Sequence, residues 1–225
     1  MRVVRGRASD IEADRAVTDA LRADAAETGE GIVRAWTPHR QVAFGRRDAR
    51  ADGYERARRA ATERGYPTYE RDVGGRAVAY TGNTVAFLRL EPTDDGRQGV
   101  DARYEAALAA VRRGLGSVDV AAEQGEPPDA FCPGGHSLSA DGKLVGLAQR
   151  VSAGVAQVAG IAVVRDHERI ADVLTGVYDA LGVPFDPDSV GSVARAGGAD
   201  DPTAVARAIE AALVGDRDAT VERLA

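Results

Sequence analysis

The stretch Phe131-Cys-Pro-Gly-Gly-His-Ser-Leu-Ser-Ala-Asp-Gly-Lys-Leu-Val-Gly-Leu-Ala-Gln-Arg150 decides the fold class of this chain. Its Asp141-Gly142 dipeptide is the strongest short signal for a hairpin turn, so the stretch predicts two antiparallel strands. Residues 157–164 return after a Ser-Ala-Gly turn at 152–154, which extends the hairpin to a three-stranded meander. Hairpins in a chain that also interleaves helices and strands predict the α+β class.

Helical and strand patterns alternate along the rest of the chain. Ser9 with Glu12 three residues later matches a capping box, which predicts the start of a helix. An apolar stripe predicts a helix over 101–115. The same reasoning predicts strands at 3–4, 31–37, 41–45, 68–71, 84–90, 118–122, 137–140 and from 143, and helices at 53–63, 166–181, 189–195 and 202–214.

Composition excludes several classes of protein. At 225 residues, of which 44% are hydrophobic, the chain fits one domain with a substantial core. It has neither the run of ~18 apolar residues of a membrane span nor the apolar segment of a signal peptide, which predicts a cytoplasmic protein. A net charge of -6 argues against nucleic acid as a partner. An acidic chain with one lysine suggests a high-salt cytoplasm, although a GC-rich genome would also favour arginine.

The only cysteine, Cys132, and the only lysine, Lys143, both lie in the opening stretch. A lone cysteine is most often a small buried hydrophobe, but Pro-Gly-Gly after Cys132 is typical of an exposed loop. A lysine after Asp-Gly is usually a solvated turn residue, yet this chain uses arginine for every other cation. Arginine cannot replace a compact ammonium that exchanges its proton. A thiol nucleophile needs a nearby cation or base, so the two residues predict a catalytic pair, with His136 a weaker candidate for the base.

A second motif, Arg71-Asp-Val-Gly-Gly-Arg-Ala-Val78, has a glycine pair between predicted strands. Gly74 and Gly75 allow positive φ and a close approach of the backbone to a ligand. Consecutive N–H groups in such a loop can bind an anion or a carbonyl oxygen. A glycine pair alone is usually a plain turn, but Arg71 and Arg76 beside it could bind a phosphate or carboxylate. The spacing and the Lys-Ser/Thr of a P-loop are missing, as is any metal-ligand cluster.

Together these motifs resemble the biotin/lipoate protein ligase and octanoyltransferase superfamily. The segment 71–83 resembles its glycine-rich motif, and Asp141-Gly-Lys-Leu-Val-Gly-x-Ala-Gln-Arg150 resembles the motif that carries its central lysine. Trp36-x-Pro and Phe44-Gly-Arg46 resemble its early strand pair. The resemblance covers about residues 30–165.

The loop that contains Cys132 is most similar to the lipoyl/octanoyl amidotransferase branch, whose nucleophilic cysteine lies there. Two departures from the ligase pattern, Val73 before the glycine pair and Tyr80 where histidine is common, also favour a transferase. The resemblance implies an α+β fold with a mixed, largely antiparallel central sheet flanked by helices. We expect a catalytic domain over 1–195 and a C-terminal helical extension over 196–225, packed on the same domain.

The resemblance further implies an activity in protein lipoylation. An octanoyl or lipoyl group passes from a carrier protein or lipoyl domain to Cys132 as a thioester, and then to a lysine of an acceptor lipoyl domain or glycine-cleavage H-type protein. Lys143 favours the thiolate and contacts the acyl carbonyl. The residues expected to bind the acyl group are Arg71, Gly74, Gly75, Arg76, Ala77, Val78, Tyr80, Gly134, Gly146 and Ala148. This reaction requires no cofactor or metal, and neither nucleic acid nor membrane is a partner.

Two alternatives stay open from the sequence. The first is an ATP-dependent lipoate–protein ligase, in which Lys143 and Arg71 hold a lipoyl-adenylate formed from ATP with Mg, and Cys132 is incidental. The second is a non-catalytic homologue that keeps the fold to bind a cofactor or a carrier protein. Retention of the sole lysine argues against the second alternative.

Overall fold

The computed structural model describes residues 1–71, 75–94 and 98–224. The helices are α1 (Ile11–Thr28), α2 (Tyr54–Glu63), α3 (Val100–Gly116), α4 (His167–Leu181) and α5 (Pro202–Val214), with a short 3-10 helix at Pro187–Ser189. The strands are β1 (Arg2–Arg5), β2 (Ile32–Trp36), β3 (Gln41–Phe44), β4 (Thr68–Glu70), β5 (Val78–Tyr80), β6 (Thr84–Pro92), β7 (Glu123–Gln124), β8 (Ser137–Ser139), β9 (Lys143–Ser152), β10 (Val155–Val163) and β11 (Thr220–Arg223).

A mixed sheet forms the centre of the molecule. Over the described ranges it has eight strands in the order β11-β1-β2-β6-β10-β9-β8-β7. Strand β1 pairs in parallel with β11 and β2, whereas the neighbours from β2 onward are antiparallel. A second sheet of the described residues has the order β4-β3-β5. The predicted α+β class with a mixed, largely antiparallel central sheet is confirmed.

Helices cover both faces of the main sheet, because successive side chains of a strand point to opposite faces. On one face, Val33 of β2 packs with α3 and α5 residues such as Val111 and Ile209. On the other face, Ile32 packs with Leu21 of α1. A third cluster joins the small sheet to α2 and α4. No helix among the described residues is long and apolar enough to cross a membrane.

Several predicted elements are wrong or displaced. Helix α1 begins one residue later than predicted, because Asp10 rather than Ser9 is its N-cap and accepts from Ala13 N at 2.8 Å. Residues 118–122 form a turn instead of a strand: Asp119 has φ 65, and Val120 N donates back to Leu115 O at 3.0 Å.

The predicted helix at 189–195 is also wrong. Val190 forms a parallel bridge with Lys143, and Gly191 N donates to Lys143 O at 3.1 Å. A Cβ on Gly191 would lie 2.7 Å from the carbonyl carbon of Gly142, so this segment is pressed against the hairpin turn. In the predicted C-terminal extension, helix α5 packs against α3 in the same hydrophobic core. The extension also contains strand β11, which pairs with β1 and was not predicted from the sequence.

Candidate active site

Cys132 lies in the loop before β8 and has an unusual backbone conformation. Its φ of 43 is in the left-handed region, which is unfavourable for a residue with a side chain. Its N–H donates to the Tyr178 hydroxyl at 2.6 Å, and its carbonyl accepts from Lys143 Nζ at 3.0 Å. The Tyr178 hydroxyl in turn donates to Ala77 O at 3.0 Å, which ties the cysteine loop to the strand after the glycine pair. Helix α4 and strand β9 thereby hold this conformation from two sides.

Gly75 and Arg76, in the described part of the glycine-rich motif, lie directly against the sulfur. Gly75 has φ +96, and a Cβ there would lie 2.8 Å from Cys132 Sγ. Gly45, from the early strand pair, allows the backbone of Gly75 to pack closely against it, because a Cβ on Gly45 would lie 2.0 Å from Gly75 O. The buried Asp48 accepts from Gly45 N and from Arg76 Nη1, both at 3.1 Å. Close packing therefore requires glycine at both positions, and the positive φ of Gly75 favours glycine there as well.

A positive charge contacts the sulfur. Arg71 Nη2 lies 3.4 Å from Cys132 Sγ, and the backbone N–H of Arg76 donates to the same atom at 3.4 Å. Burial acts to lower the pKa of Arg71, but the facing Cys132 sulfur and Tyr80 oxygen act to raise it, and the net direction is upward. The guanidinium is thus held charged beside the sulfur, an environment that stabilises a thiolate.

Lys143 is placed differently from the prediction. Its side chain is 1% exposed, and its ammonium donates to Glu126 Oε1 at 2.7 Å, Phe131 O at 2.9 Å and Cys132 O at 3.0 Å. Of the described cations, Arg71 is therefore the one that contacts the sulfur, and the lysine holds the backbone of the cysteine loop. The ammonium also lies 5.0 Å from the centre of the Phe131 ring.

A cavity of about 490 Å³ lies against these groups. Its floor is apolar and comes from β6, β9 and β10, with Leu88, Ala148 and Ile161 among the lining residues. Gly160 makes room for the Phe87 ring under the floor, because a Cβ there would lie 2.4 Å from Phe87 Cζ. Helix α1 supplies a polar wall that includes Arg15. A cavity with an apolar floor and polar groups on its walls suits a small acyl ligand.

The structure brings most of the predicted site residues to this cavity. The predicted residues that line it are Arg71, Gly75, Val78, Tyr80, Cys132, Gly134, Lys143, Gly146 and Ala148. Arg76 and Ala77 are not among the described lining residues: Arg76 turns its side chain to Asp48, and Ala77 offers its carbonyl to Tyr178.

Three residues of the glycine-rich motif, Asp72, Val73 and Gly74, lie outside the described residues. His136 lines the cavity, with its ring stacked on Tyr104 at 3.5 Å between centroids. The described neighbours of the sulfur are arginine groups, which gives no support to His136 as its base. No group of three or more potential metal ligands occurs in the described part of the chain.

Three residues that build the site were not found from the sequence. Tyr178 follows the apolar stripe of a helix, Glu126 precedes two prolines, and Asp48 lies in a polar run. Each acts through a contact with a segment distant in the chain, and none has a local signal. The Phe44-Gly-Arg46 motif was the one sign that residues near Asp48 belong to the site.

Comparison with known proteins assigns the family. The profile of the lipoyl protein ligase A/B catalytic domain matches residues 10–211, so the chain belongs to this family. It is 31% identical over 166 residues to an octanoyl-GcvH:protein N-octanoyltransferase of Exiguobacterium sp., a match that covers 73% of this chain and 59% of the relative. The enzyme of the same name from Exiguobacterium sibiricum is 34% identical over 143 residues, covering 63% and 52%.

The fold agrees with a solved structure of the same family. A lipoate-protein ligase A bound with ATP has a TM-score of 0.74 to this chain at 18% identity, covering 98% of this chain and 88% of that one. At this identity the likeness shows the fold alone. The chain spans little more than half the length of the two curated relatives it matches.

Proposed function

We propose that this protein transfers an octanoyl or lipoyl group, by way of a thioester on Cys132, to a lysine of an acceptor protein. The observation that carries this proposal is the position of the Cys132 sulfur. It lies at the wall of an apolar cavity, beneath Gly75, in contact with the Arg71 guanidinium and the Arg76 N–H. The names of the relatives, which specify octanoyl transfer from GcvH to protein, support the same chemistry.

The reaction proceeds in two acyl transfers. The thiolate attacks the acyl carbonyl carbon, the new C–S bond forms, and the bond to the donor's amine or thiol breaks as that group takes up a proton. A lysine amine of the acceptor then attacks the thioester carbon, loses a proton as the amide forms, and releases the thiolate. Neither step consumes ATP or needs a metal. A donor thioester is already activated, and transfer from a donor amide to an acceptor amine exchanges one amide for another.

The groups around the sulfur have separate roles. Arg71 stabilises the thiolate by its charge, and the Arg76 N–H beside the sulfur is positioned to donate to the oxyanion, which develops two bonds away from the sulfur. Lys143 fixes the cysteine loop through the Cys132 carbonyl. The apolar floor of the cavity receives the hydrocarbon chain, and a lipoyl domain or GcvH-type protein presents its lysine at the mouth.

Intact-mass spectrometry tests this proposal directly. Mixed with octanoyl- or lipoyl-loaded carrier in the absence of ATP, the wild-type protein is expected to gain the mass of one acyl group on Cys132. Cys132→Ser is expected to lose turnover to an acceptor lipoyl domain, because the hydroxyl is a much weaker nucleophile than the thiolate. A Cys132→Ala protein that lipoylates the acceptor with free lipoate and ATP would instead identify a ligase that uses an adenylate.

A further inference from the structure

The Lys143–Glu126 ion pair contacts the main chain of the cysteine loop through the lysine. Lys143 Nζ and Glu126 Oε1 are 2.7 Å apart, with side chains 1% and 23% exposed. Glu126 is not among the described residues that line the cavity, so it is not placed to contact an acyl substrate. Its second oxygen, Oε2, is buried and has no hydrogen-bond partner among the described residues. The carboxylate is therefore committed to the lysine.

A buried ammonium requires such an anion. An ammonium has three hydrogens, and carbonyl oxygens of Phe131 and Cys132 accept two of them, at 2.9 and 3.0 Å. Two neutral carbonyls do not compensate the loss of water around a charge, whereas a carboxylate does. Without Glu126, burial favours the neutral amine, which is a weaker hydrogen-bond donor.

The carbonyl that Lys143 holds belongs to the nucleophile itself. Cys132 has φ 43, a conformation that a non-glycine residue keeps only when its surroundings enforce it. We propose that Glu126 is a positioning residue: by keeping Lys143 charged, it holds the Cys132 carbonyl and so places the sulfur at Arg71 and Arg76. The consequence for acyl transfer rests on the function proposed above, whereas the placement of the sulfur does not.

The charges of Glu126 and Lys143 determine how the activity of a Glu126 variant should depend on pH. Glu126 and Lys143 face each other directly, and Arg71 contacts the sulfur of the same loop. In Glu126→Gln the ammonium has lost its counter-charge, so it loses its proton at lower pH than in the wild type. The cysteine loop is then released as pH rises.

The test compares pH profiles of three variants with the wild type. For Glu126→Gln, kcat for acyl transfer is expected to fall roughly tenfold or more at alkaline pH, with the alkaline limb of the profile shifted to lower pH and KM for the donor unchanged. Glu126→Asp keeps the charge at a greater distance, so its profile is expected to lie between the two. Glu123→Gln is the matched control, since Glu123 is an exposed carboxylate of β7 and should behave as the wild type.

A second readout does not depend on acyl transfer. The rate at which iodoacetamide alkylates Cys132 is expected to show the same shift in Glu126→Gln, even if no donor acylates the wild type. The proposal is overturned if the profile of Glu126→Gln superimposes on the wild type, or if its rate falls by one factor at every pH, as a merely structural role would produce. If Glu126→Gln does not fold, Glu126→Asp decides: a partial shift supports the proposal and an unchanged profile overturns it.

Discussion

The cysteine backbone is bound by side chains from two elements, Tyr178 of α4 at the N–H and Lys143 of β9 at the carbonyl. The direction of the sulfur is thus set by hydrogen bonds to the main chain and not by the rotamer of the side chain alone. Burial raises the pKa of Tyr178, so its hydroxyl keeps the proton that it donates to Ala77 O. A nucleophile fixed in this way loses little entropy when the acyl carbon approaches.

Replacement of Gly75 by alanine tests the contact between the glycine-rich segment and the sulfur. The new Cβ would lie 2.8 Å from Cys132 Sγ and 3.1 Å from Arg71 Nη2, at a φ of +96 that disfavours any side chain. We expect acylation of Cys132 to fall at least about tenfold, with a loss of about 1–3 kcal/mol in the free energy of unfolding. Single-turnover mass spectrometry and denaturant unfolding measure the two effects.

Gly125→Ala is the control for that substitution. Gly125 has no atom within 4 Å of the added Cβ and is not among the glycines with positive φ. It should keep wild-type acylation and stability. Equal acylation rates in the Gly75 and Gly125 variants would show that the segment does not constrain the sulfur.

At the scale of elements, α5 is an integral part of the core. Val205, Ile209 and Leu213 are buried with residues of α3 and the main sheet. Gly114 of α3 allows the close approach, because a Cβ there would lie 2.9 Å from Ala208 O. Strand β11 differs: its residues are exposed, and it extends the edge of the sheet beside β1. The C-terminal segment therefore contains one element that stabilises the fold and one at its margin.

This difference predicts unequal effects of two truncations. Ile209→Ala should lower the free energy of unfolding by about 2–5 kcal/mol, because it leaves a cavity between α5 and the sheet. Val221→Ala on β11 should change it by less than about 0.5 kcal/mol, since Val221 is 51% exposed. Urea unfolding followed by circular dichroism gives both values. A small effect at Ile209 would mean that α5 is dispensable for the core.

At the scale of the whole molecule, charge is the dominant surface property. The chain has a net charge of -6, and some of its ion pairs, such as Arg64–Asp172 at 3.1 Å and Arg195–Asp141 at 2.8 Å, are partly exposed. Exposed pairs contribute little to stability and are screened by salt. The repulsion among the excess carboxylates is screened as well, and it opposes the compact state.

We predict that the melting temperature and acyl-transfer rate rise as KCl is increased from low to molar concentration. The physical reason is that salt screens the net repulsion more than it weakens the individual pairs. Thermal unfolding and acyl-transfer assays across a series of KCl concentrations measure both quantities. A parallel NaCl series shows whether the effect depends on the identity of the cation. Full activity and an unchanged melting temperature at low salt would contradict the interpretation of the acidic composition as an adaptation to high salt.

The sequence by itself determined the α+β class, the β8–β9–β10 meander, the glycine-rich motif and the occurrence of Cys132 and Lys143 in one segment. Each of these has a short-range signal: an Asp-Gly turn, a glycine pair, or a residue type used once. Local patterns also misled at 118–122 and 189–195, where contacts with other segments override the propensity of short apolar runs.

The tertiary structure alone decided which groups meet. Arg71 and Cys132 are 61 positions apart, Tyr178 and Cys132 are 46 apart, and Glu126 and Lys143 are 17 apart. From the sequence, Lys143 was predicted to lie beside the thiol. In the structure Arg71 contacts the sulfur, and Lys143 donates to the Cys132 carbonyl. Such contacts depend on how the sheets and α4 are stacked, and no periodicity or spacing within one segment encodes that arrangement.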